Sequence, residues 1–139
     1  MAGVNYWVIL AAGLASFLFG AIWYGILSKQ WMAAIDKSED ELKASSGFVV
    51  PMVITIAAQL FMAWVLAGLL AHLLKGGVAA NAPNGMLSAV FIWAGFVATT
   101  LSVNHAFQGT KRMLTLIDAG HWLGVLLIQG AIIGGWGLA

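Results

Sequence analysis

An aspartate and a histidine stand three positions apart in LIDAGHW, residues 116–122, near the start of a long apolar run. Asp118 is the only acidic residue outside one polar segment, residues 28–47. On a helix Asp118 and His121 share a face, because residues three and four apart are neighbours. Lys111, Thr115, Asp118 and Trp122 form a stripe at the same spacing. A carboxylate beside an imidazole can relay a proton, hold an ion or anchor a polar head group. The plainer reading is a strut, with Asp118 bonded to Thr99, Thr100, Asn104 or a loop cation on the neighbouring helix.

The elements that must position this pair are set by composition. The chain has 139 residues, 62% hydrophobic and 8% charged, with a mean hydropathy of +0.96. Soluble domains carry about 25% charged residues, so this chain cannot cover a water-facing surface, and a membrane protein is the class that fits. A net charge of +1 gives no footprint for nucleic acid, and the absence of cysteine excludes disulfides, thiolate nucleophiles and cysteine-held metals. Four apolar runs, Tyr6–Leu27, Phe48–Leu74, Met86–Val103 and Met113–Leu138, match the roughly 20 residues needed to cross the hydrocarbon core. Backbone in lipid must satisfy its own hydrogen bonds, and no run alternates with the period of two that a membrane barrel needs. The expected fold is therefore all-α, a polytopic protein of four transmembrane helices in an antiparallel bundle, one domain over residues 1–139. The first run lacks a Lys/Arg-rich leader and exceeds the roughly 7–15 apolar residues of a signal peptide, so it reads as a retained span.

The connectors differ in character. The first, residues 28–47, holds four of the five acids and three of the six cations, and Ser38 followed by Glu41 forms a capping-box pattern. Its Trp31, Met32 and Ile35 suit the headgroup layer. The second contains Pro83-Asn84-Gly85, a turn signal. The third is short, which makes the third and fourth spans antiparallel neighbours. Lys29, Lys37, Lys43, Lys111 and Arg112 fall on one side of the membrane and only Lys75 on the other. By the positive-inside rule that side is cytoplasmic and both termini lie outside, in a bacterial inner membrane. Trp7 and Trp136 then belong to the outer interface, Tyr24 and Trp31 to the inner one.

With this topology the polar residues of the spans gather in the cytoplasmic half: Trp23, Tyr24 and Ser28, then Thr55 and Gln59, then Thr99, Thr100, Ser102, Asn104 and His105, then Thr115, Asp118 and His121. The outer halves carry Ser16, His72, Ser88 and Gln129. Asp118 lies about 9 Å along the helix from Arg112, just inside the hydrocarbon boundary. A carboxylate costs about 2.5–3.5 kcal/mol at the bilayer centre and less near the edge, so Asp118 must pair, reach water or take up a proton. His105 and His121 are on the same side but His72 is not, and no metal-ligand spacing is present; no metal or cofactor is expected. No pattern ties a serine to a His–Asp pair. Small residues recur at helical spacing in Ala12, Ser16 and Gly20, in Ala63, Ala67 and Ala71, and in Gly130 and Gly134. Such stripes let helices approach closely, either within one chain or between copies.

The segments FLFGAIWYG and SKQWM, with the second half from WAGFVATTLSVNHAFQGTKR through LIDAGHWLGVLLIQGAIIGGW, resemble the domain of unknown function family 1761, small bacterial four-span membrane proteins. The resemblance covers essentially the whole chain. It rests on Gly20, Trp23, Tyr24 and Trp31, and on Gly95, Phe96, Thr99, Thr100, Phe107, Asp118, Ala119, Gly120 and Gly130. His121 departs from it, standing where an aromatic such as Tyr is expected. The resemblance implies a fold and a membrane location but no activity.

Three functions follow as expectations. The first is the binding or transport of an ion or small solute through a polar site in the cytoplasmic half, built from Asp118, His121, Thr99, Thr100, Asn104, Trp23 and Tyr24. The second is a non-catalytic accessory subunit packed against a larger membrane complex. The third, an intramembrane enzyme, needs a nucleophile or metal within reach of Asp118 and His121. The partners expected are the lipid bilayer and either further copies of the chain or a larger membrane complex.

Overall fold

The computed structural model describes residues 4–45 and 47–138. The apolar runs are helices because lipid leaves the backbone no other partner. α1 is Tyr6–Ile26, opened by Asn5, whose side chain accepts from Trp7 N. Two short helices follow, α2 (Ser28–Ala34) and α3 (Glu39–Ala44). The capping box at Ser38 and Glu41 is present: Ser38 N donates to the Glu41 carboxylate and Ser38 Oγ accepts from Glu41 N. α4 is Val49–Lys75. α5 (Ala82–Ile92) and α6 (Thr99–Gln108) run through one π turn, Trp93–Ala98, as a single long helix. α7 is Arg112–Ile132 and ends in a second π turn, Ile133–Gly137.

Four helical stretches, Tyr6–Ile26, Val49–Lys75, Ala82–Gln108 and Arg112–Gly137, are long and apolar enough to cross a membrane. They pack as a bundle, and the chain is a multi-pass membrane protein. The third is longer at both ends than its apolar run. Asn81 caps it by accepting from Asn84 N, with a proline in the first turn, where a missing N–H costs nothing. At the far end the polar residues Asn104 and His105 stay helical until Gly109, whose φ of +67° closes the helix in the left-handed region.

The spans are arranged in the order α4, α1, α7, α5, each antiparallel to its neighbour, with α1 and α7 central. α4 and α5 scarcely meet. The Ile133–Gly137 turn touches α1, α4 and α5, which closes the bundle at the end holding the termini. An isolated antiparallel bridge joins Val4 to Leu138, and Asn5 N donates to Gly137 O. The apolar core lies toward this end, in Ile9, Ala12, Ala63, Leu66, Ala67, Leu70 and Ile133. Trp7 and Trp136 are exposed there. At the opposite end, which carries five of the six cations, α6 packs mainly on α7, and Phe48 with Val49, Val50, Val53 and Ile54 of α4 are exposed.

The small-residue stripes are turned inward. Ala12, Ser16, Gly20, Ala63, Ala67, Gly130 and Gly134 are all buried within the chain. The closest crossing joins α5 to α7. A Cβ on Gly85 would lie 2.0 Å from Gly130 O, and one on Gly130 2.4 Å from Gly85 O. One on Gly134 would lie 2.5 Å from Asn81 O. Only glycine allows two helix backbones this close.

Candidate functional site

Asp118 is held at the cation-rich end between α1 and α6. Tyr24 Oη donates to Asp118 Oδ1 at 2.8 Å. His105 Nε2 lies 3.8 Å from Asp118 Oδ2, within ion-pair range but beyond a hydrogen bond. His105 Nδ1 is 3.0 Å from Thr115 Oγ1, one turn before Asp118. The Asp118 side chain keeps 19% of its surface exposed and that of His105 keeps 13%. Asp118 therefore has one oxygen engaged and one without a close partner among the described residues.

Two indoles fix the rotation of α7 around this carboxylate. Trp23 Nε1 donates to Ile117 O at 3.1 Å from α1, and Trp93 Nε1 donates to Ala119 O at 2.8 Å from the start of the π turn. These carbonyls flank Asp118 on either side in the chain. The α1–α7 seam interlocks rings with glycines. A Cβ on Gly120 would strike the Trp23 ring at 2.8 Å, and one on Gly124 the Phe19 ring at 2.3 Å. One on Gly20 would come 2.7 Å from His121 Nε2. His121 is buried, and its ring packs on Tyr24, Phe19 and Trp122 at centroid distances of 4.9, 6.3 and 4.8 Å. Its Nδ1 has no hydrogen-bond partner among the described residues.

Of the residues singled out in the sequence, Asp118, Tyr24, Trp23 and His121 come together. Thr99, Thr100 and Asn104 do not join them. All three are exposed on the outer side of the third span, and Thr99 Oγ1 bonds to Gly95 O of its own helix. The partners of Asp118 are thus Tyr24 and His105, not the threonines and asparagine of the strut reading. The π turn precedes these positions and sets the phase in which α6 meets α7, a shift that helical counting does not anticipate. Tyr24 turns inward, with Trp31 edge-on to it at 6.1 Å.

Above the layer, α2 is pinned to the start of α7. Lys111 Nζ donates to Ala33 O at 2.8 Å and pairs with Asp36. Asp36 has a φ of +54°, a left-handed conformation that Asp tolerates better than most residues. Beside the layer, a groove of about 450 Å³ opens between α6 and α7, lined by Ser102, His105, Ala106, Thr110, Arg112, Thr115 and Leu116. His105 and Thr115 belong to both the groove and the Asp118 layer.

A second polar cluster lies deeper, near the middle of the bundle. Gln129 Nε2 donates to Ser16 Oγ and to Gln59 O, both at 3.0 Å, and Ser16 Oγ lies 2.9 Å from Gln59 Oε1. All three residues are fully buried. Sequence reading split them between opposite halves of the membrane and took Ser16 as a packing residue. The available signal was that each glutamine is the sole carboxamide within its own span. Gln59 Nε2 and Gln129 Oε1 have no partner among the described residues. Among those residues no group of three or more metal-ligating side chains forms.

The model of a family described as protein of unknown function (DUF1761) matches residues 7–134. The chain belongs to this family. The match spans both the Asp118 layer and the Gly85–Gly130 crossing of this DUF1761 protein. No curated protein and no solved structure matches the chain.

Proposed function

We propose that this DUF1761 protein binds an ion or small solute at the Asp118 layer and moves it across the membrane. The supporting observation is the half-engaged carboxylate. Asp118 Oδ1 takes the Tyr24 hydroxyl, while Oδ2 faces His105 at 3.8 Å and keeps a ligand position beside the groove. An intramembrane carboxylate with a vacant oxygen is a costly feature for a mere strut. In this reading Trp23 and Tyr24 wall the site, His105 and Thr115 stand between it and the groove, and His121 fills the seam behind Tyr24. The cation-rich end faces the cytoplasm of a bacterial cell. One chain of four spans is thin for a full path, so the path is completed in a homo-oligomer.

The test is infrared difference spectroscopy on protein reconstituted in lipid, stepping pH, sodium and potassium in turn, with Asp118→Asn as control. The expected result is a carboxyl band that moves with one of these and is missing from the control. A band indifferent to all three would make Asp118 a strut and remove the site.

The accessory-subunit reading keeps one observation in its favour. The third span is the least buried, 6% against 28%, 33% and 39% for the others, and it exposes Thr100, Ser102 and Asn104. Copurification of a larger complex that Asn104→Leu disrupts would favour that reading.

A further inference from the structure

We propose that the groove between α6 and α7 seats the phosphate of an anionic phospholipid. This goes beyond the Asp118 reading and does not depend on it. The polar lining of the groove is Arg112, Thr110, Thr115, Ser102 and His105. Arg112 makes no ion pair among the described residues. The other cation at this corner, Lys111, is already engaged with Asp36 and Ala33 O. No carboxylate lines the groove; Asp118 stands behind His105. The groove hydroxyls are engaged within the chain, Ser102 on Ala98 O, Thr110 on His105 O and Thr115 with His105 Nδ1, so the Arg112 guanidinium is the donor fork that phosphate oxygens match.

One turn deeper than Arg112, Leu116 is 67% exposed and gives the groove an apolar wall. From Arg112 to Leu116 the helix rises about 6 Å, the depth over which a phospholipid passes from headgroup to acyl chain. The volume, about 450 Å³, falls in the range of small-molecule sites, roughly 300–1,000 Å³. The groove opens outward from the bundle, at the level where five of the six cations lie, so a lipid reaches it by sliding in the leaflet. A free phosphate would match Arg112 and leave Leu116 uncovered.

The experiment is native mass spectrometry of the full chain released from detergent after incubation with phosphatidylglycerol, phosphatidylcholine or inorganic phosphate. One phosphatidylglycerol per chain should be retained over phosphatidylcholine. Arg112→Gln should weaken retention by about tenfold or more, the loss of a charge-assisted contact, and Arg112→Lys should restore part of it. Leu116→Trp, which fills the apolar wall and leaves Arg112 in place, should also lower retention. Lys43→Gln, at the same end but outside the groove, should not. Equal losses from Lys43→Gln and Arg112→Gln, no loss from Arg112→Gln, or displacement of the lipid by inorganic phosphate would each overturn the assignment.

Discussion

The two ends of the bundle are built on opposite plans. At the end holding the termini, backbones touch: Gly85, Gly130 and Gly134 bring α5 against α7, and the terminal π turn seals three helices together. At the cation-rich end, rings take the place of backbones. Phe19, Trp23 and His121 fill the hollows over Gly124, Gly120 and Gly20, while α6 leans mainly on α7. Backbone contact leaves no freedom, since neither partner can rotate out of the way. Ring-in-hollow contact leaves side-chain torsions free to adjust. The polar site and the groove both lie at the adjustable end, which is where binding groups belong if they must respond to a ligand.

The sharpest way to break this contrast is Gly130→Ala. The added methyl meets the backbone of Gly85 at 2.4 Å, so the helices must separate, and the loss should reach about 3 kcal/mol, the upper end of overpacking. Gly25→Ala is the matched control, with nothing within 4 Å of its Cβ, and should be neutral or slightly stabilising. Both are read by denaturation in mixed micelles. A Gly130→Ala protein as stable as the parent would mean that the crossing is not tight.

A smaller effect is expected at the other end. Gly20→Ala meets His121 Nε2 at 2.7 Å, a side-chain atom that can yield, and should cost about 1–2 kcal/mol. Combining it with His121→Ala removes the obstacle, so the double variant should lose less than the sum of the two. Strict additivity in that cycle would show that the ring does not occupy the hollow.

The smallest effect belongs outside the membrane, in α3. The Lys43 ammonium bonded to Glu39 holds that carboxyl below its ordinary value of 4.5. The Ser38 backbone N–H, then its hydroxyl, does the same for Glu41. Groups lowered in the folded state contribute stability above their ordinary value, and that contribution is lost as pH falls below it through the folded values. Amide exchange in residues 39–44 should therefore quicken as pH drops below 4.5, after correction for intrinsic rates, with the four spans unaffected. Unchanged α3 protection in acid would remove the capping box from the account.

Much of the architecture was legible because lipid permits so few alternatives. Hydropathy and length located four helices, and the short turn between Gln108 and Arg112 made the last two neighbours. The lateral order was not legible, because it depends on which small residues face which. Gly130 and Gly134 stood out as a pair, but their counterpart Gly85 was hidden in a turn signal that also starts a helix. Asp118 was found because a lone acid in an apolar chain is conspicuous. Its partners were not found, since Tyr24 comes from a span 94 positions away and His105 is aimed by a π turn. The Ser16–Gln59–Gln129 cluster was missed for a related reason: depth was counted from the loops, and unequal helix overhangs shifted the count.

That π turn, Trp93–Ala98, acts as a phase shifter. A π turn takes up about one residue more than an α turn, and one residue corresponds to about 100° around the axis. The residues before it, Gly85 and Ala89, face α7 in one phase; those after it face α7 in another, which brings His105 to Thr115. Straightening it to α geometry with every residue kept would leave α5 seated and rotate His105 about 100° away from α7, whereas deleting one residue together with the bulge would keep His105 in place. The length of this one turn therefore encodes which part of the third span meets the carboxylate.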